Sequence, residues 1–186
     1  MTFNFEEKDS CGVGFIASRG VPRTHGMTLK ILECLSNLDH RGAKFADGTG
    51  DGAGVLTEIP FELLEAEISE RGIIRNESSK LALISCFFDP KNVTESMELI
   101  DSKLEEFDIE LLYWRKVPTD KEILGTMAKE SKPGIYQAII CSTKEYKYKF
   151  EKYLYLFRKS LETDLAKNEF LNILWCISYI TIIVHY

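Results

Sequence analysis

Apolar residues along the chain follow two patterns, one typical of strands and one typical of helices. Short runs that are almost wholly apolar predict buried strands at 12–17, 55–59, 81–88, 109–117 and 135–142. Apolar residues spaced by three and four positions, together with cap signals, predict helices at 27–38, 60–71, 93–107, 119–130 and 146–161. Taken alone, this alternation favours an α/β domain built on a parallel sheet.

The last stretch of the chain, residues 170–186, is the most apolar. It holds 13 apolar residues, whereas a membrane span needs about 20. Asn172, Ser178, Thr181 and His185 interrupt it, and its isoleucine and aromatic content favours strands. We therefore expect buried strands and no membrane partner. Because the chain ends inside this run, we also expect a domain that is incomplete at its C-terminus.

Composition narrows the possible partners and compartments. The net charge is −6 over 186 residues and no basic block occurs, so nucleic acid is not expected as a partner. The five cysteines are widely spaced and include no CxxC pair, so a disulfide framework is not expected. Free cysteines favour a reducing, cytoplasmic location. The first ten residues contain three acids and no apolar segment, so they are not a secretory signal.

Two glycine-rich motifs partly match known ligand-binding motifs, one for dinucleotides and one for calcium. Residues 12–17 fit G-x-G-x-x-A, but no strand precedes them, so dinucleotide binding is disfavoured. Five residues fit part of an EF-hand frame, namely Asp47, Thr49, Asp51, Gly52 and Glu58. Calcium binding is disfavoured as well, because Pro60 breaks the exit helix and no second hand follows. A tight glycine-built turn is the simpler interpretation, and no metal site is expected.

Histidines and cysteines supply the remaining reactive groups. The three histidines, His25, His40 and His185, are too scattered for a metal site, and a Cys11–His40 pair is conceivable without local support. Four cysteines lie in apolar runs and are expected in the core, namely Cys34, Cys86, Cys141 and Cys176. Cys11 instead lies between an acidic leader and the first predicted strand.

A chain cut before Cys11 would carry a thiol and a free α-amine on one residue. The amine has an unperturbed pKa of about 7.7–8.0 and can act as a base beside a thiol of pKa about 8.5. Such a residue is nucleophile and base together. A plain buried cysteine is the alternative.

Three blocks of sequence resemble one enzyme family. They are DSCGVGFIAS at 9–18, LDHRGAKFADGTGDGAGVLTEIP at 38–60 and KFEKYLYLFRKSLE at 149–162. In this order they resemble the start of the large subunit of glutamate synthase, within its type-2 glutamine amidotransferase domain, an N-terminal nucleophile (Ntn) hydrolase. The resemblance implies an α+β fold of the αββα sandwich type with antiparallel sheets, in place of the parallel sheet.

The resemblance also implies roles for particular residues. Residues 1–10 would be a propeptide, residues 11–186 part of the amidotransferase domain, and Cys11 the nucleophile that attacks L-glutamine. Arg41 matches a family arginine near the nucleophile, where it would support catalysis or brace the loop. His40, Asp47 and Asp51 would hold turns.

The complete enzyme implied by the resemblance needs more than this chain contains. It would use FMN, an iron–sulfur cluster and an external reductant, none of which is expected to bind here, and further domains or a complementary chain. The Asn-Gly pair and the substrate-holding arginine and aspartate of the family are absent from the sequence. We therefore expect little or no activity from the chain alone, and a non-catalytic fragment is the alternative.

Overall fold

A computed structural model describes residues 12–20, 24–50, 52–76, 78–142, 150–166, 173–177 and 180–185. The described helices are α1 (His25–Asn37), α2 (Phe61–Glu70), α3 (Val93–Glu106), α4 (Thr126–Ser131) and α5 (Phe150–Ala166). The described strands are β1 (Ala53–Glu58), β2 (Leu81–Phe88), β3 (Ile109–Lys116), β4 (Gly134–Ser142), β5 (Ile173–Ile177) and β6 (Ile180–His185). β1 and β6 form a two-stranded sheet.

The chain divides into two compact units. The first unit comprises Met1–Val55, Asp120–Ser131 and Ile183–Tyr186, and the second comprises Leu56–Thr119 and Lys132–Ile182. The second unit is therefore interrupted between β3 and β4 by a segment that belongs to the first.

The second unit contains a four-stranded sheet with the order β3-β4-β2-β5. Each neighbouring pair is antiparallel. With α3 and α5 as its connections, the unit has the β-α-β-β-α-β arrangement of ferredoxin-like folds. The parallel sheet suggested by helix–strand alternation is therefore wrong, because β4 lies between β2 and β3. The antiparallel sheet of an α+β fold is confirmed.

One face of this sheet packs against α3 and α5. The apolar residues of α5 recur every three or four positions, so they form one stripe on the helix. That stripe packs with Ile100 and Leu104 of α3 against β2, where Ile84, Cys86 and Phe88 are fully buried. The members contributed by α5 are Phe150, Leu154, Phe157 and Leu161.

The opposite face packs against α2. Leu64 and Ile68 of this helix contact a second apolar cluster that includes Leu83, Tyr113 and Ile139. Glu67 adds polar contacts at this position. Its Oε2 accepts a hydrogen bond of 2.8 Å from the Tyr113 hydroxyl, and its Oε1 lies 2.5 Å from Nη1 of Arg115. Burial is the first cause that raises the pKa of Tyr113 to about 12, followed by the hydrogen bond to Glu67.

Two predicted elements differ from the structure. Residues 12–18 form no strand and pair with no strand in the described part of the chain, and Val13 and Phe15 are 94% and 89% exposed. Apolar content alone therefore misidentified this run as buried, and its two glycines offer no side chains to pack. The helix predicted at 119–130 is confined to α4, since turns occupy residues 122–124.

The apolar end of the chain contains strands, as predicted, at β5 and β6. The predicted helix start at Tyr146 lies outside the described residues, and α5 is described from Phe150. No helix in the described ranges has the length and apolar character needed to cross a membrane.

Candidate functional site

The residue after the predicted nucleophile lies beside the predicted arginine. Cys11 itself is outside the described residues, whereas Gly12 is within them. A methyl group built on Gly12 would lie 3.3 Å from Cδ2 of Leu38 and 3.4 Å from Cγ of Arg41. Arg41 therefore lies beside Gly12, and a larger residue at position 12 would push against the side chains of Leu38 and Arg41.

Arg41 is held by a short helical turn that follows α1. Residues Asp39–Arg41 form a single 3-10 turn, in which the Arg41 amide donates to the Leu38 carbonyl at 2.8 Å. Nδ1 of His40 lies 3.0 Å from the Asn37 carbonyl. Nζ of Lys44 lies 2.6 Å from an Asp39 carboxylate oxygen. We call residues 39–42 the HRG turn. The contacts of Arg41 with Leu38 and of His40 with Asn37 hold this turn at the end of α1.

The next turn, residues 44–50, is closed by backbone hydrogen bonds. The Phe45 amide donates to the Thr49 carbonyl at 2.8 Å, and the Gly48 amide donates to the Phe45 carbonyl at 3.0 Å. Lys44 and Gly50 form an isolated antiparallel bridge at its base. Gly48 has a φ of +84°, which explains why a glycine occupies the tip. We call residues 44–50 the Asp47 turn.

The Asp47 carboxylate joins this turn to a segment far away in the sequence. Its Oδ1 accepts from the Thr49 amide at 3.0 Å, and its Oδ2 accepts from the Thr49 hydroxyl at 2.9 Å and from the Met127 amide at 3.0 Å. The hydrogen bond from Met127 is the first cause that lowers the pKa of Asp47 below its ordinary value, followed by that from Thr49. Both oxygens are thus occupied by protein donors.

Gly125 lies directly against the Asp47 turn. A methyl group built there would lie 2.3 Å from Oγ1 of Thr49, 2.8 Å from the Asp47 carbonyl oxygen and 2.9 Å from the Thr49 amide nitrogen. Only glycine fits at this approach. Neither this contact nor the Asp47–Met127 bond was predicted, and the only signal in the sequence is a glycine between Leu124 and Thr126.

The EF-hand residues are not gathered round an ion site in the described part of the chain. Asp47 and Thr49 bond to each other, Glu58 lies at the end of β1, and Asp51 is outside the described residues. Within those residues, no three His, Cys, Asp or Glu side chains lie close enough to hold a metal. His25 begins α1, His40 lies in the HRG turn, and His185 is the last residue of β6.

The cysteines differ in accessibility. Cys86 and Cys141 are buried, as predicted. Burial raises the pKa of both thiols, for Cys141 to about 11, so they are weak nucleophiles at neutral pH. Cys34 is exposed on α1, so its predicted core position is wrong; α1 has no buried residue, and its partly buried stripe passes through Leu35 instead. The structure describes the backbone of Cys176 and not its side chain, so the core position of this residue stays a prediction.

We expect the Asp47–Met127 bond to survive acidification to below the ordinary carboxyl pKa of 3.8. Because the folded pKa of Asp47 is lowered, the ionised group stabilises the folded state above its unfolded pKa, and this contribution is lost as the pH falls through the lower folded pKa. The pH-dependent shift of the Met127 amide proton signal in an NMR titration should therefore have its midpoint below pH 3.8. In Asp47→Asn this shift should be absent. A transition at or above the ordinary value in the unmodified chain would contradict the prediction.

Comparison with known proteins places these features in a family. A family model described as glutamine amidotransferases class-II matches residues 11–186. A ferredoxin-dependent glutamate synthase of Pyropia yezoensis is 35% identical over 164 residues, which cover 88% of this chain and 11% of that protein. An NADH glutamate synthase of Saccharomyces cerevisiae is 32% identical over 173 residues, covering 86% of this chain and 8% of that protein.

These coverages mean that the chain spans about a tenth of the length of the curated relatives it matches. Among solved structures, the C-terminal domain of the MgtC protein from Mycobacterium tuberculosis matches 57% of this chain at 13% identity and a TM-score of 0.36, too low to carry an argument. The family match instead extends from Cys11 to the end of the sequence, through the HRG turn and the Asp47 turn. The chain belongs to the class-II glutamine amidotransferases and is homologous to the glutaminase part of glutamate synthases.

Proposed function

We propose that this chain supplies the glutamine-hydrolysing step of a glutamate synthase, with Cys11 as an N-terminal nucleophile. The observation that carries the proposal is that the family match begins at Cys11. The proximity of Arg41 to Gly12 supports it, because Gly12 is the residue that follows Cys11 in the sequence. Under this proposal residues 1–10 are a propeptide, and residues 11–186 are an amidotransferase region of the Ntn-hydrolase αββα type.

Removal of the propeptide would give Cys11 a free α-amine as well as its thiol. The amine takes the thiol proton, and the thiolate attacks the side-chain amide carbon of L-glutamine. The tetrahedral intermediate collapses as the amine returns the proton to the leaving nitrogen, which departs as ammonia. Water then attacks the γ-glutamyl thioester, which gives L-glutamate and restores the thiol.

Arg41 has a supporting role in this proposal. An arginine guanidinium carries positive charge and presents its donors in a fixed plane. The HRG turn fixes the backbone of Arg41, and its Cγ lies close to the main chain of Gly12. From that position it can orient the nucleophile or hold negative charge beside it.

The rest of the reaction is assigned to other parts of a complete enzyme. There the ammonia would aminate 2-oxoglutarate with FMN, an iron–sulfur cluster and an external reductant. In this proposal the cofactors belong to further domains of the complete enzyme. A cytoplasmic location also remains part of the proposal.

A second function is favoured by the sparse core of the first unit. α1 contains no buried residue, and Val13 and Phe15 are almost fully exposed. Under this alternative, the chain is a non-catalytic fragment that becomes active only with a complementary chain. Co-expression with a polypeptide carrying the rest of an amidotransferase domain should then raise both solubility and glutaminase activity, and no change in either would contradict it.

The proposed function is tested by mass spectrometry and active-site labelling. We expect the purified chain to lose residues 1–10 and to react at Cys11 with a diazoketone analogue of L-glutamine. The exposed thiol of Cys34 is the internal control, because a general alkylating agent should modify it while the glutamine analogue should not. A Cys34→Ser variant should label as the unmodified chain does, and Cys11→Ser should not label. Retention of residues 1–10 with no label at Cys11 would overturn the proposal.

A further inference from the structure

The connection between β3 and β4 leaves the second unit and contributes to the first. Residues Asp120–Ser131, which include α4, belong to the first unit, whereas both flanking strands belong to the second. A hydrogen bond joins this segment to the Asp47 turn of the same unit. The Met127 amide donates to Oδ2 of Asp47 across a separation of 80 residues.

The segment packs tightly against the Asp47 turn beside this hydrogen bond. Gly125 approaches the backbone of Asp47 and Thr49 so closely that a methyl group would overlap both residues. The carboxylate of Asp47 also bonds both donors of Thr49, so its orientation is set before it reaches Met127. A charged acceptor bonded to backbone amides makes a stronger hydrogen bond than a neutral one.

A continuous set of contacts leads from this link to the proposed nucleophile. Asp39 forms an ion pair with Lys44 at the base of the Asp47 turn. Asp39 also begins the helical turn that ends at Arg41, and Arg41 lies beside Gly12. Gly12 is bonded covalently to Cys11.

We propose that Asp47 is a positioning residue for the reaction of Cys11, because it holds the segment Asp120–Ser131 against the Asp47 turn, which the Lys44–Asp39 ion pair joins to the turn that carries Arg41. This inference rests on the proposed function. Asp47 touches neither Arg41 nor glutamine in this role. It acts through the geometry of the Asp47 turn, and the segment between β3 and β4 thereby becomes a part of the site.

The test measures the rate at which the full chain reacts with the diazoketone analogue as the analogue concentration is varied. Asp47→Ala should lower the limiting rate constant by about tenfold to a hundredfold, since small displacements of reacting groups have effects of that size. The concentration for half-maximal rate should change far less, because Asp47 makes no contact with the analogue. Irreversible unfolding alone would lower the fraction of chains labelled and leave the rate constant unchanged, and reversible unfolding is measured separately by the circular dichroism of each variant.

Asp89→Ala is the matched control. The Asp89 Oδ1 accepts from the Lys91 amide at 2.9 Å, a carboxylate-to-amide bond of the same kind that lies within the second unit. Asp89→Ala should keep the limiting rate constant of the unmodified chain. Equal rate constants for Asp47→Ala and the unmodified chain would overturn this inference and leave the proposed function intact, as would equal losses in both variants. No label at Cys11 in the unmodified chain would overturn both.

Discussion

Replacing Phe157 by alanine should lower the free energy of unfolding of the second unit by about 3–5 kcal/mol. Phe157 is fully buried in the cluster that joins α3 and α5 to the sheet. Its ring meets that of Phe107 edge to face, with centroids 5.6 Å apart and an interplanar angle of 86°. The substitution removes this pair and leaves a cavity that rigid neighbours on β2 and β4 cannot fill.

The measurement is chemical denaturation of the full chain followed by fluorescence, together with thermal unfolding. For a protein of this size the loss corresponds to a fall of about 6–20 °C in the midpoint of thermal unfolding. Leu156→Ala is the matched control, because this adjacent residue of α5 is 49% exposed and its loss should cost less than about 0.5 kcal/mol. Similar losses in both variants would show that α5 does not pack as described.

The second unit was the part of the fold that sequence patterns predicted best. Its helices α2, α3 and α5 carry periodic apolar faces and β2 carries an almost unbroken apolar run, and these residues are buried in the unit, as at Phe157 on α5 and Ile84 on β2. Strand order was not predictable in this way. The placement of β4 between β2 and β3 depends on pairings such as Leu83 with Ile139, which leave no mark on local periodicity.

The first unit was predicted less well for a related reason. The apolar residues of α1 and of residues 12–17 have the pattern of core elements, yet the described part of the unit buries few of them. The apolar content of a segment predicts that the segment is buried, but it does not identify the residues that bury it.

The residues of the proposed site were expected from the resemblance to a known family, whereas the contacts that surround them were not expected. Cys11 and Arg41 were identified through the resemblance to the family, and the chemistry of an N-terminal cysteine was predictable from its thiol and amine. The link between Asp47 and Met127 joins residues 80 positions apart, and no spacing rule connects them. Gly125 is one of 12 glycines in the chain, and only its surroundings in the fold distinguish it.

Gly125→Ala should disrupt the first unit. The added carbon would lie 2.3 Å from Oγ1 of Thr49 and within 3.0 Å of two backbone atoms. A side chain can rotate away, whereas the Asp47 carbonyl and the Thr49 amide are fixed by the hydrogen bonds of the Asp47 turn. The two segments must therefore separate, at a cost of about 1–3 kcal/mol for forced overpacking.

Hydrogen exchange of the amides in residues 125–131 is the direct measurement. Exchange should become faster in Gly125→Ala, with the largest change at Met127, because separation breaks its bond to Asp47. Gly26→Ala is the matched control. Its new methyl group would have Thr24 Oγ1 at 3.5 Å as the nearest contact, and alanine favours a helix over glycine, so α1 should be unchanged or slightly more stable.

A variant that combines Asp47→Ala with Gly125→Ala distinguishes overpacking at Gly125 from loss of the hydrogen bond between Asp47 and Met127. If both substitutions act by detaching the same segment, Gly125→Ala should have little further effect on the exchange of Met127 once Asp47→Ala is present. Additive effects would mean that the methyl group disturbs the Asp47 turn itself and that the segment is held by other contacts. Because labelling at Cys11 depends on the same attachment in our proposal, Gly125→Ala should also slow that reaction, while Gly26→Ala should not.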